Sequence, residues 1–193
     1  GRAMANAKQV KAANVFNNGF STSSLYAGGD GKPLFASDHP TLAAGTQSNK
    51  VSSDLSETSL EASLINISLT KDDRGLLIGA RAVSLHIPPQ LQFVAHRILF
   101  SDLRVGTADN DTNAMKDMGL FSKGYTVNHR FTDTNGWFIR TDVPNGTKMF
   151  VRAPLATKDD VDFLTGNMRY KARERYSFGW SDFLGVFGSQ GSS

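Results

Sequence analysis

The sequence predicts an α+β protein, in which helices prevail early and strands prevail later. Apolar residues recur at helical spacing in residues 3–18, 54–69 and 90–100. From Tyr125 onward the spacing changes to the alternation that is typical of strands. The chain has 193 residues, of which 39 % are hydrophobic and 20 % are charged. A chain of this size and composition can bury a core, as one domain or as two small ones.

The first predicted helix, over residues 3–18, is rich in helix formers and is expected to end at Gly19. The residues from 21 to 50 are polar and rich in turns, and Leu34 and Phe35 are their one bulky apolar pair. Ordering such a segment costs chain entropy, so we expect this pair to anchor it on a neighbouring element of the same subunit or the next. Burial of Phe35 is expected to contribute about 1.5–3 kcal/mol.

The second predicted helix covers residues 54–69, and Asp54 with Glu57 forms a D-x-x-E capping-box pattern at its start. A turn at 72–75 and a strand near 82–87 are expected to follow. Two prolines then close the strand and open the third helix, since proline is tolerated in a first helical turn.

The third helix is predicted over residues 90–100, and residues 101–119 are predicted to form a loop. We expect a central sheet within residues 82–157, with the second and third helices packed on it. In its strand at 137–143, Trp137 and Phe138 should lie on opposite faces, with one of them in the core.

The later strands are separated by turn signals. Residues 125–131 and 137–143 form a strand, turn, strand pattern. Asn145-Gly146, just before a strand over 147–153, predicts a hairpin turn because both turn positions need positive φ. A long alternating segment, residues 167–183, predicts a closing strand.

The composition excludes several kinds of site. The chain has no Cys, which excludes disulfides, thiolate zinc sites and cysteine nucleophiles. Its apolar stretches are short, so we expect no membrane span, and no signal peptide is visible. The net charge of +3 is too small to imply a nucleic-acid partner by itself. Because the chain begins with Gly1 and enters directly into a helical pattern, we expect its front to be processed or truncated.

Candidate chemistry is sparse. Asp38-His39 invites an acid–base or metal role, but a single His in a proline-bounded loop is more typical of a turn residue that bonds backbone. The other three histidines are scattered and match no metal-ligand motif. Residues 109–113 have the first spacings of a calcium loop, but Ala114 and Leu120 stand where Gly and Glu are required. With no phosphate loop and no nucleophile beside a base, the pattern disfavours a hydrolase and predicts neither cofactor nor metal.

The most unusual segment is a basic strand. Alternate residues of a strand share a face, so four basic side chains should point the same way: Arg169, Lys171, Arg173 and Arg175. The opposite face is apolar except for Glu174. Two interpretations stay open: a solvated edge that resists aggregation, or a contact with another subunit or with nucleic acid.

Five segments, in this order, resemble the Mu-like family of phage major head proteins: DGKPLFASDHP, VSLHIPPQLQFVAHRIL, DNDTNAMKD, FTDTNGWFIRTD and DDVDFLTGNMRYKARERYSFGWSDFLGVFG. The resemblance covers nearly the whole chain. It implies the Hong Kong 97 type capsid fold, and it brings no catalytic residues with it.

On that fold, the resemblance implies that residues 1–20 end the spine helix and 21–50 form a loop or hairpin segment. Residues 51–157 would form the axial domain and 158–193 the peripheral domain, with no counterpart of the N-terminal arm or extended loop. The implied function is a structural subunit that self-assembles, as hexamers and pentamers, into the icosahedral shell of a virion. Packaged DNA and other virion proteins would be further partners, no membrane is implied, and assembly would take place in the host bacterial cytoplasm. The alternative is a nucleic-acid-binding module that uses residues 169–175.

Overall fold

A computed structural model describes residues 2–43, 45–104, 111–161 and 163–192. Its helices are α1 (Arg2–Asn17), α2 (Glu57–Ser68), α3 (Gln92–Phe100) and α4 (Ala114–Asp117). Its strands are β1 (His39–Pro40), β2 (Thr46–Gln47), β3 (Lys50–Val51), β4 (Ala82–Ile87), β5 (Tyr125–Val127), β6 (Trp137–Thr141), β7 (Thr147–Val161), β8 (Met168–Trp180) and β9 (Val186–Ser189). The mixed α and β class is confirmed. Asp109 and Asn110, from the calcium-like pattern, lie outside the described residues.

The central sheet has five strands in the order β3, β9, β6, β4, β5. Two of its pairings are parallel, β3 with β9 and β4 with β5, whereas β6 is antiparallel to both of its neighbours. The predicted location within 82–157 is right for β4, β5 and β6 but wrong for β7, which pairs with β8 in a separate sheet. The edge strand β3 and the inner strand β9 lie outside that range. They were not predicted, because strands of two and four residues are too short to show an alternating pattern.

One face of the sheet is covered by α2 and α3, which confirms the predicted packing. Leu60 and Ile67 of α2 and Ala95, Ile98 and Leu99 of α3 are buried there. The sheet residues in the same cluster include Leu85, Ile87, Trp137 and Ile139. The buried residues of each helix recur at the three- and four-residue spacing predicted from the sequence, and they pack against the alternating side chains of the strands.

The other face is covered by α1 and by the segment that follows it. Phe138 points into this second cluster, with its ring centroid 5.3 Å from that of Phe35 and 5.1 Å from that of Phe16. Trp137 and Phe138 therefore lie on opposite faces, as predicted, and both are in the core because both faces are covered. Leu34 and Phe35 are 0 % and 1 % exposed. Gly19 makes room for Phe35, since a Cβ there would overlap its ring.

Asn49 joins the second cluster to the rest of the chain. Its buried side-chain amide lies 2.7 Å from the Leu34 carbonyl and 3.0 Å from the Val186 carbonyl, and it donates to both. The Phe183 carbonyl lies 3.1 Å away, and the Asn49 Oδ1 accepts from the Ala36 backbone N–H at 3.0 Å. One side chain thus satisfies backbone groups from two segments more than a hundred residues apart.

The start of α2 differs from its prediction. Ser56 is the N-cap, and Ser56 and Ser59 bond each other's backbone N–H reciprocally, as a capping box does. The predicted Asp54 and Glu57 pairing is wrong: Asp54 instead accepts hydrogen bonds from the backbone N–H and hydroxyl of Ser192. Those bonds hold the pKa of Asp54 below its usual value.

Two turn predictions are also corrected. The strand, turn, strand order predicted over 125–143 is present, but β5 ends at Val127, and β4 lies between β5 and β6, so these two strands do not pair with each other. Asn145 has a φ of 64°, but the hairpin predicted at Asn145-Gly146 is wrong, because β6 and β7 belong to different sheets. Gly146 is needed for a different reason: its backbone packs on that of Gly185, and a Cβ on either would overlap the other.

We predict that Asn49→Ala destabilises the protein by about 1–3 kcal/mol for each buried backbone group left unpaired. The free energy of unfolding in urea measures this. Asn66→Ala, on the exposed surface of α2, is the matched control and should change stability little. Equal effects of the two substitutions would contradict the role given to Asn49.

His86 of β4 gives a pH dependence. Burial lowers the pKa of His86, and the charge of Arg140 lowers it further. The unfolded chain therefore binds more protons than the folded chain once the pH falls below about 6.5. We expect the free energy of unfolding to fall as the pH drops from about 6.5 towards the folded pKa, and His86→Gln to remove that part of the slope. His129→Gln, at an exposed position, should leave the slope unchanged, and a slope that survives His86→Gln would refute the assignment.

Candidate interaction surface

Strands β7 and β8 form a long two-stranded ribbon, separate from the central sheet. They pair antiparallel from Thr147 with Trp180 at the base to Val161 with Met168 at the outer end. We call these two strands the ribbon. At about 3.3 Å per residue, the 13 residues of β8 span about 40 Å.

The ribbon is irregular near its middle. Its register shifts between Val151 and Ala153 and again between Ala153 and Ala156, so β7 carries extra residues there. Pro154 lies in the second shift, where a residue without a backbone N–H interrupts no ladder bond. Such bulges increase the local twist and redirect the outer strands.

The base of the ribbon is fixed to the body of the protein by a close packing contact. The Trp180 ring packs directly on the backbone of Gly28, where a Cβ would overlap the ring. The segment 21–50, which follows α1, thus holds the tryptophan that ends β8.

One face of the ribbon meets α1. Lys8 of α1 donates to the Glu174 carboxylate at 2.6 Å, and its Nζ lies 5.2 Å from the Tyr176 ring centroid. The Glu174 side chain is only 7 % exposed. This contact explains why an acidic residue interrupts the apolar face in the sequence: it pairs with a lysine 166 positions away.

The opposite face carries the four basic residues named from the sequence, and the strand predicted for them is confirmed. Across the ribbon, Asp160 is paired with Arg169, whereas Lys158 stands directly opposite Lys171. Alanines stand opposite Arg173 and Arg175. Like charges directly opposite each other destabilise a sheet. The two strands together hold seven basic and three acidic residues.

The outer end of the ribbon is apolar. Phe163 is 99 % exposed and Leu164 is 90 % exposed, and both lie in the turn beyond β7. Val161, Met168 and Tyr170 beside them are more than half exposed. Clustered apolar residues on a protruding element mark a contact site more often than a solvated surface.

An acid-lined cleft lies beside the base of the ribbon. It has a volume of about 650 Å³, and Trp180, Phe183 and Leu184 are among its apolar walls. Every charged side chain lining it, in the described part of the chain, is an aspartate: Asp30, Asp72, Asp73, Asp142 and Asp182. Within the described ranges, no group of three acidic or histidine side chains is arranged to hold a metal ion.

His39 lies at the wall of the same region. It is fully buried, its ring stacks on Phe183 with centroids 3.9 Å apart, and its Nδ1 lies 2.6 Å from Asp30 Oδ2. The expectation that His39 bonds backbone is therefore wrong, since its partner is a carboxylate. Asp38 turns away and pairs with Lys32. The two neighbours in sequence do not form one site.

The described helices include none that is both long enough and apolar enough to cross a membrane. A family model described as "Phage capsid protein" matches residues 1–188. The chain belongs to this family. The family is one of phage capsid proteins. The capsid family suggested by the sequence is confirmed, while the Mu-like branch stays a prediction.

Two solved structures are similar to this chain. The capsid of an empty GTA particle is 15 % identical, with a TM-score of 0.49, and the match covers 100 % of this chain and 66 % of that one. A virus-like particle from Pyrococcus furiosus is 11 % identical, with a TM-score of 0.47, and the match covers 72 % of this chain and 55 % of that one. The chain thus spans less than two thirds of either neighbour. No curated protein matches it.

We predict that the Lys8–Glu174 pair fixes the ribbon against α1. Lys8→Met should destabilise the protein more than Glu174→Gln does, because it leaves a nearly buried carboxylate unpaired. A double-mutant cycle in urea should give a coupling of about 1.5–3 kcal/mol, the usual contribution of a hydrogen bond to a charged group. Lys11→Met, at an exposed position of the same helix, is the control. A coupling energy near zero would show that the ion pair does not hold the ribbon against α1.

Proposed function

We propose that this capsid protein self-associates into the icosahedral shell that encloses a phage genome, through hexamers and pentamers. The observation that supports this most directly is the ribbon. It extends about 40 Å, contains seven basic residues, six of them exposed, and only three acidic ones, and ends in exposed apolar side chains. These features do little for the stability of one subunit and are typical of an element that contacts another.

The proposal includes the Hong Kong 97 type architecture. Residues 1–20 would end the spine helix, residues 51–157 form the axial domain, and residues 158–193 belong to the peripheral domain. Packaged DNA and other virion proteins would be further partners, and assembly would take place in the host cytoplasm. The segment 21–50, anchored by Leu34 and Phe35, would join the first helix to the axial domain.

Repetition makes weak contacts sufficient. An exposed ion pair contributes only about 0–1 kcal/mol. In a closed assembly every subunit repeats each contact, and linked contacts strengthen one another without any new interaction. Arginine suits such contacts because its planar guanidinium grips a carboxylate or a phosphate with two hydrogen bonds. We therefore place the basic face against acidic groups of an adjacent subunit or on the genome side of the shell.

We predict that Arg173→Glu combined with Arg175→Glu leaves the full-length subunit folded but prevents shells from forming. Circular dichroism checks the fold, and negative-stain microscopy checks the shells. Shells that form but fail to retain DNA would favour the genome side instead.

The matched control reverses two exposed basic residues away from the ribbon, Arg97→Glu with Lys123→Glu. It makes the same change in net charge and should leave assembly intact. If the ribbon variant assembles and packages DNA normally, the basic face is only a solvated edge and its proposed role is lost.

A further inference from the structure

We propose that the ribbon docks, through its basic face, into the acid-lined cleft of a second copy of this chain. The inference rests on the proposed shell function and names the surfaces that meet in it. The ribbon is the inserting element, and the cleft beside the ribbon base of the next subunit is the receptor.

Charge complementarity within the chain identifies the partner. The net charge of the whole chain is only +3, yet its charges are strongly segregated. The ribbon is rich in basic residues, and the charged side chains described around the cleft are all aspartates. A surface that repels itself along one strand is matched by an oppositely charged surface on every other copy. Complementary potentials of this kind steer association and fix its register.

A ribbon cannot satisfy the cleft of its own subunit. Trp180, the last residue of β8, lines that cleft. Arg173 is seven residues away along an extended strand, or about 23 Å, and Arg169 is eleven residues away, or about 36 Å. The basic face therefore projects away from its own cleft, and the acidic partner must come from another molecule.

The cleft has room for arginine and a free carboxylate to receive it. Asp72, Asp142 and Asp182 accept hydrogen bonds from nearby backbone N–H groups through one oxygen each. Asp73 is exposed, and no hydrogen bond to its carboxylate is described. The apolar walls can pack on the methylene stem of an arginine while its guanidinium reaches the rim.

The apolar outer end of the ribbon has a matching surface as well. Ile78 lines the cleft, and the adjacent Leu76 and Leu77 are 65 % and 62 % exposed. Phe163, at the end of the ribbon, would cover such a surface on the next subunit. The ribbon and the cleft are different patches, so the contact is head to tail, and head-to-tail contacts generate closed rings when the rotation closes. Hexamers and pentamers are rings of that kind.

A charge swap in the full chain tests the proposal. Arg173→Glu alone and Asp73→Arg alone should each raise the concentration needed for assembly by about tenfold or more, because each places like charges opposite each other. The double variant restores an opposite pair in every contact and should assemble near the wild-type concentration. Asp117→Arg, an exposed acid of α4 outside the cleft, is the control and should assemble like the wild type. Light scattering against concentration and negative-stain microscopy are the readouts.

The outcomes separate this inference from the function on which it rests. If the wild-type chain forms shells and both single variants assemble normally, the cleft contact is wrong while the shell function stands. Failure of the double variant to recover also overturns the contact, since the two charges then do not face each other. Loss of DNA from otherwise normal Arg173→Glu shells would assign the basic face to nucleic acid. A wild-type chain that never assembles removes the proposed function itself.

Discussion

The buried amide of Asn49 is the interaction on which the second layer of the fold depends. It bonds the Leu34 carbonyl on one side and the Val186 carbonyl on the other, so it joins an early polar segment to a late strand. Without such a partner, the backbone groups beside Phe35 would be buried and unpaired. The satisfied amide therefore lets a phenylalanine from a turn-rich segment enter the core, and that ring completes the cover over Phe138.

Helix α1 and the segment after it also hold the ribbon in place. Helix α1 packs its phenylalanine on the sheet and presents Lys8 to Glu174, so the same helix serves both the core and the ribbon. Trp180 adds a second fixed point at Gly28. Because the Lys8–Glu174 and Trp180–Gly28 contacts both hold the ribbon against the body of the protein, the core determines the direction in which the ribbon projects. A contact surface held in this way loses little freedom when it binds.

Strong local patterns were predictable from the sequence, and long-range pairings were not. Strand β4 was found at its true bounds, and α3 at nearly its true start, because buried elements of that length repeat their period several times. Strand β7 was predicted only over its first half, since Pro154 and Asp159-Asp160 break its alternation. The hairpin signal at Asn145-Gly146 failed because a turn dipeptide fixes local φ values and not the strands that pair afterwards. Asn49 carried no signal at all, since an amide's partners depend on the tertiary fold.

The basic face was the part of the site that the sequence did reveal, and its acidic counterpart was not, because the five aspartates come from four separate stretches of the chain. The location of the basic and the acidic charges on two different surfaces affects the stability of the ribbon. Lys158 stands opposite Lys171, and alanines rather than acids stand opposite Arg173 and Arg175, which disfavours the isolated ribbon. The same charges favour the ribbon once an acidic surface faces them. At physiological ionic strength such charges act only over about 8 Å, so the relief requires direct contact. Association and the stability of the ribbon are then linked, so that anything that stabilises the contact also stabilises the ribbon.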